Sequence, residues 1–206
     1  VCRRRNVEMD AFTEKRIKMS NLEECIIKAH EDGLVDHIAV RVGKGEQILN
    51  DCFYSADYEI NSKALFDMAS VTKIMVTTML TLIAADRKLL NFDDKVNRFF
   101  PCPNDKSELT IKHLLTHTMG YGHRSLCEKG NTYDNIQNYV LSLPCDFPVG
   151  TKVDYSCPGF ILLGKILDKV FGDRLDRLFI SLIAAPLGME SSGYCLNCKD
   201  AVNSNL

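Results

Sequence analysis

An α+β fold, with helices packed against an antiparallel sheet, follows from the order of the elements: one helix, one hairpin, then a run of helices. Between His37 and Tyr54 two short runs carry strand character, whereas from Asp67 onward the apolar spacing is helical. The 206 residues suit one or two domains and suffice for a substantial core.

Each element has its own local reason. Ser20 and Glu23 form a capping-box pattern around Leu22, ahead of Ile26 and Ile27, and Gly33 closes that helix. His37 to Val42 and Gln47 to Tyr54 read as strands joined by a turn from Gly43 to Glu46. From Ser70 to Asp86 runs a long, almost uniformly apolar helix, so burial on most sides is expected. Thr110 to His117 is a short helix ended by Gly120, and Asn131 to Leu143 another, stopped by Pro144. Pro158 to Phe171 is strongly apolar and ends at Gly172, while Leu175 to Ala185 precedes Pro186. Residues 1–19 read as a tail and 20–206 as one domain, with the first helix and strands in 20–66 and the mainly helical part in 67–206. An isolated hairpin is marginal in water, so further strands are expected beyond Leu206.

Composition narrows the function classes. With 46% hydrophobic and 25% charged residues the chain reads as an ordinary soluble protein. A net charge of −2 gives no sign of a nucleic-acid or membrane surface, and the Arg3-Arg4-Arg5 run reads as a solvated tail. Thr77, Thr78 and Thr81 interrupt the longest apolar run, so no membrane segment is expected. No signal peptide pattern precedes the first helix, yet the chain begins on Val1 and not Met, so an extracytoplasmic location through an upstream signal stays open. The nine scattered cysteines fit free thiols in a reducing, cytoplasmic setting. Composition leaves the oligomeric state open.

Ser70 and Lys73 stand one helical turn apart, at i and i+3, on one face of their helix. That pairing makes a serine nucleophilic if the lysine sheds its proton. A free lysine titrates near about 10.4 and a useful base near about 7, so an apolar surrounding has to hold the amine neutral. The same spacing also fits a serine that caps the helix and a lysine that snorkels from its first turn.

Other constellations compete. Cys195-Leu196-Asn197-Cys198 is a lone CxxC without a second pair, and with the histidines it makes a thiol or metal protein the weaker alternative. His113 and His117 are four apart, as zinc ligands on a helix are, yet Leu114 follows His113 where a metalloprotease motif has glutamate. No metal site and no cofactor is assigned. Tyr155, delivered by an exposed turn just before a helix, can shuttle protons beside a lysine. It equally fits a half-buried aromatic with a wet hydroxyl.

In chain order come Phe66 to Lys73, then Leu114-Leu115-Thr116-His117-Thr118-Met119-Gly120, then Phe147 to Gly164, then Pro186-Leu187-Gly188-Met189. Taken together they resemble the serine β-lactamase and D-Ala-D-Ala carboxypeptidase superfamily, in its class C, esterase-like branch. The resemblance runs from Ile38 to Met189. It implies a β-lactamase/transpeptidase-like fold, an antiparallel sheet flanked by helices plus a helical subdomain. It also implies acyl transfer to Ser70 with Lys73 as neighbouring base and Tyr155 relaying protons to the leaving group. The Ser70 backbone N–H would supply half of an oxyanion hole. The substrate would be a small-molecule or peptide-like ester, amide, peptide or β-lactam.

Three departures qualify the resemblance. Cys157 stands where the family's Tyr-x-Asn box has asparagine, so this substrate-binding position holds a weaker donor and acceptor and a poorer helix cap. Met119 replaces a serine in the second box as well. The largest departure is that the third box, Lys or His before Thr or Ser and Gly, has no counterpart before Leu206. The chain thus corresponds to the front portion of the family domain, incomplete at its C-terminus. The alternative is a degenerate, inactive homologue that keeps the fold and binds a peptide-like ligand without turnover.

Overall fold

The computed structural model of the chain describes residues 20–55, 59–124, 132–194 and 201–202. Two units divide it, one formed by residues 1–67 with 197–206, the other by residues 68–196.

In the first unit, helix α1 (Ser20–Glu31) stops at Gly33, where Gly33 N–H reaches His30 O at 2.8 Å and Leu34 N–H reaches Ala29 O at 2.9 Å. The expected capping box involves the Ser20 side chain, which lies outside the described residues. Strands β1 (His37–Lys44) and β2 (Gln47–Ser55) pair antiparallel from His37↔Ser55 to Lys44↔Gln47. Pairing continues through Gly43 and Lys44 by way of a bulge after Val42, so the turn is shorter than the sequence reading placed it. Arg41 and Asp51 face each other in this register and form an ion pair. The strand count from sequence was low: β3 (Leu65–Phe66) pairs in parallel with β4 (Ala201–Val202). Two residues each are too short to show apolar alternation.

The second unit is helical. A π-helical stretch, Lys73–Thr78, runs directly into α2 (Met79–Asp86). Burial on most sides does not hold here. Val76, Leu80 and Ala84 face the core with Thr77 and Thr81, whereas Val71, Met79 and Leu82 are exposed and Ile74 is 68% exposed. Two of the three threonines that broke the apolar run, Thr77 and Thr81, are buried, and the Thr81 hydroxyl is satisfied locally: Thr81 Oγ1 donates to Thr77 O at 2.7 Å. Apolar residues on every face left the pattern no means of choosing a side.

Around this segment pack α3 (Ile111–Leu115), α4 (Ile136–Ser142), α5 (Cys157–Phe171) and α6 (Leu175–Phe179), the last continuing as a π turn, Ile180–Ala184. Leu80, Leu109, Ile111, Leu114, Leu162, Leu163 and Ile166 are fully buried together. Each such side chain contributes roughly 1.5–3 kcal/mol of transfer free energy. Helix α3 has a reciprocal cap: Thr110 Oγ1 accepts from His113 N, and His113 Nδ1 accepts from Thr110 N at 3.2 Å. It ends at Leu115, earlier than expected, so His117 lies beyond the helix at φ 57°. Residues 132–135 form a turn before α4, with Ile136 N–H on Thr132 O at 3.0 Å, and Asn131 lies outside the described residues. Helix α5 follows the sequence closely. Ser156 caps it through Gly159 N–H at 3.2 Å, and Gly172 at φ 73° closes it on Asp168 O, a conformation only glycine adopts freely.

Among the described residues of this unit one charged side chain is buried. Lys106, 1% exposed, donates to Leu143 O at 2.6 Å and Asp105 Oδ2 at 3.0 Å, with its ammonium 5.7 Å from the Tyr121 ring centre. It ties the segment after Pro103 to the end of α4.

Candidate active site

The backbone entering the Ser70 segment is strained. Ala69 sits at φ 39°, which a side chain adopts only when its surroundings enforce it. Ser70 follows on an exposed turn, and Lys73 opens the π-helical stretch. Such wide turns are rare and concentrate where a side chain must be presented to chemistry. Lys73 Nζ donates to Ser70 Oγ at 3.0 Å.

Tyr155 arrives from the segment before α5, and its hydroxyl donates to Ser70 Oγ at 2.7 Å. The ring lies under the lysine, with Nζ 5.1 Å from its centre. The Oγ of Ser70 thus receives both the amine of Lys73 and the phenol of Tyr155, residues 85 positions apart from serine to tyrosine.

That segment is held in place by the second motif. Gly120 O accepts from Asp146 N at 2.9 Å, Thr118 O from Gly150 N at 2.8 Å, and His117 O from Asp154 N at 2.8 Å. Gly120 is required in this ladder: at φ 106°, a Cβ there would lie 2.6 Å from Cys145 Sγ. Met119 is fully buried, and Ser156 Oγ donates to its sulfur at 3.0 Å, so the methionine packs against the start of α5.

His117 is the residue that spacing alone misplaced. Its ring Nδ1 accepts from Ser156 N at 3.0 Å, and its face lies 4.7 Å from the Tyr155 ring and 5.1 Å from Phe160. It therefore grips positions 154, 155 and 156 in succession. Burial and the nearby Lys73 ammonium push its pKa below the ordinary histidine value. The acceptor role requires neutral imidazole, in keeping with that direction. His113 is occupied in the α3 cap, and no cluster of three metal-ligating side chains occurs among the described residues. Cys195 and Cys198 lie outside them. Membership of the Leu-Leu-Thr-His-Thr-Met-Gly box was the available signal for His117, and the Phe147 to Gly164 box held Phe160 without marking it.

Two expectations are corrected. Lys73 is not the neutral amine the apolar helix implied. Partial burial pulls its pKa down, but the hydrogen bond with Tyr155 and the facing Cys157 and Tyr155 groups outweigh it, and the net direction is upward. The site is open, with Ser70 exposed and Tyr155 46% exposed, so burial of the ammonium is only partial and its partners outweigh it. Cys157 is also not a failed cap, because Ser156 caps α5 and Cys157 is its first helical residue. The Cys157 thiol instead interacts with Lys73. Among the described cysteines, Cys25, Cys52, Cys102, Cys145 and Cys157 are free thiols.

The arrangement has relatives. The sequence profile of the Beta-lactamase family matches residues 27–195. Esterase EstB of Burkholderia gladioli is 32% identical over 191 residues, covering 80% of this chain and 48% of the esterase. A putative D-alanyl-D-alanine carboxypeptidase of Escherichia coli K12 is 30% identical over 146 residues, covering 63% of this chain and 34% of that protein. The octameric penicillin-binding protein homologue from Pyrococcus abyssi superposes with a TM-score of 0.73 at 21% identity, over 84% of this chain and 43% of that one. The chain spans less than half the length of each. The structural likeness establishes the β-lactamase/transpeptidase fold. No described helix is long and apolar enough to cross a membrane.

Proposed function

The chain belongs to the Beta-lactamase family, and from that premise we propose that the protein is a serine hydrolase that transfers an acyl group to Ser70 and then to water. The observation that carries this reading is the convergence of Lys73 Nζ and Tyr155 Oη on Ser70 Oγ, at 3.0 and 2.7 Å.

An ammonium cannot take the serine proton, so Lys73 acts by charge, lowering the energy of negative charge that develops on the serine oxygen. Tyr155 carries the protons. As Ser70 Oγ bonds to the substrate carbonyl carbon, its proton passes to Tyr155 Oη, and the phenol proton passes to the leaving alcohol or amine. The carbonyl carbon loses its bond to that group. In the second half a water oxygen attacks the acyl carbon, gives a proton to Tyr155 and displaces Ser70 Oγ, which takes the phenol proton back. The acid product leaves, and the protein returns to its starting state. Side chains and water suffice for every transfer.

The substrate is an ester, amide, peptide or β-lactam of small-molecule or peptide-like kind, with an esterase or peptidase favoured by the names of the relatives. Free thiols among the described cysteines support a reducing, cytoplasmic setting.

A serine-directed fluorophosphonate probe tests the reading on full-length protein. Labelling is expected at Ser70 and is abolished by Ser70→Ala. Equal labelling of wild type and variant would favour the inert homologue instead.

A further inference from the structure

A cavity of about 600 Å³ opens beside Lys73 and Cys157 and continues along α5 past Ile161 and Gly164 to Leu175 and Tyr133. Its volume lies within the range of small-molecule sites. Cys157, Ile161 and Gly164 stand at i, i+4 and i+7, so they share one face of α5 and extend the cavity along about 10 Å of helix. Lys73 at the mouth is the same ammonium that lies 3.0 Å from Ser70 Oγ.

The charges along the deep wall are already spent on one another. Lys165 Nζ is 3.0 Å from Asp168 Oδ2 and 3.7 Å from the centre of the Tyr133 ring, and Arg174 covers that ring at 4.5 Å. Asp168 also receives the Tyr133 hydroxyl at 2.5 Å and Leu175 N–H at 2.8 Å. Tyr133 is thereby locked as a wall, and no unpaired charge is offered to a ligand by this Lys165–Asp168–Arg174 group. Past Lys73 the rest of the lining is mainly apolar, with Thr72, Thr77 and Thr132 as neutral polar groups, so a charged tail entering here would lose water without gaining an opposite charge. An aliphatic chain would not.

From this we infer that the cavity along α5 receives the acyl part of the substrate, and that it selects medium-length aliphatic acyl groups, whose carbonyl or carboxylate end lies at Lys73. The inference rests on the reading of Ser70 as nucleophile. Gly164 sets the depth: a Cβ placed there meets only Leu175 Cδ2, at 3.5 Å, an ordinary contact. A side chain can therefore be added at this cavity-lining position without a Cβ clash.

The test measures binding of butanoate and decanoate to full-length protein by calorimetry, alongside Ser70 labelling by short- and long-chain alkyl fluorophosphonates. Decanoate is expected to bind about 10²-fold more tightly than butanoate, part of the gain that full burial of its extra methylenes allows. Gly164→Leu should remove that preference and leave butanoate unchanged. Gly164→Ala replaces a helix-interior glycine, so it should raise the melting temperature while trimming decanoate affinity by a smaller factor. Affinity that does not depend on chain length, or a preference untouched by both variants, would overturn the assignment. The two readings fail separately. Gly164-dependent decanoate binding without Ser70 labelling would keep the cavity and reject the hydrolase. Labelling at Ser70 that is indifferent to chain length would do the reverse.

Discussion

His117 and Tyr155 stack ring on ring at 4.7 Å, while the same histidine accepts the N–H of Ser156 and its carbonyl accepts that of Asp154. His117 thus holds both the ring face and the flanking backbone of the tyrosine whose hydroxyl donates to Ser70 Oγ. Most of the site's geometry passes through this contact.

Tyr155→Phe keeps the ring stack and removes only the hydroxyl. If the phenol relays protons, kcat for an activated ester falls by about 10²–10⁴ with little change in KM. Steady-state kinetics on full-length protein decide this, and an unchanged kcat would assign the relay elsewhere.

His117 couples the site to pH. Its folded-state pKa lies below the unfolded value of 6.5. The folded protein therefore binds fewer protons than the unfolded chain between those two values. Its contribution to stability is full above about 6.5 and is lost as pH falls from there toward the folded pKa. His117→Asn retains tolerance of the left-handed backbone but carries no such proton. Urea unfolding of wild type should weaken more between pH 7.5 and pH 5.5, both taken as about one unit either side of the ordinary histidine value, than unfolding of His117→Asn. Equal losses would contradict the assignment. His113 is shifted the same way by burial and serves as the internal control.

Cys157→Asn replaces a weak donor and acceptor with an amide beside Lys73. One better hydrogen bond corresponds to about a two- to tenfold gain, so kcat/KM should rise by that factor. A fall would mean that the thiol itself has been recruited to the site.

Lys106→Met preserves the buried stem and deletes the ammonium, leaving Leu143 O without its 2.6 Å partner. The expected loss is about 1–3 kcal/mol in chemical denaturation, with site chemistry intact. Unaltered stability would show that the buried charge does not hold the segment after Pro103 to α4.

Much of this was legible in the sequence. Pro158 and Gly172 bracket α5 because its first turn and its termination are local chemistry, although the cap is Ser156 and not position 157. Ser70, Lys73 and Tyr155 could be nominated from spacing and box order, which report which groups exist. What spacing cannot report is environment. The upward shift of Lys73 depends on Tyr155 and Cys157, 82 and 84 positions away (155 − 73 and 157 − 73). The inward turn of Thr77 and Thr81 depends on a π-helical stretch that no periodicity announces. His117 paired with His113 on paper because a helix was assumed to continue through Thr116, where the chain instead turns.

The central claim is that Ser70 Oγ forms the covalent bond. Brief reaction of full-length protein with p-nitrophenyl acetate, acid quench and peptide mass mapping addresses it directly. The account predicts a single acetyl group on the peptide containing Ser70, accumulating further in Tyr155→Phe if deacylation is the step more impaired. Acetyl found on Cys157 or spread over surface lysines, with Ser70 unmodified, would contradict it.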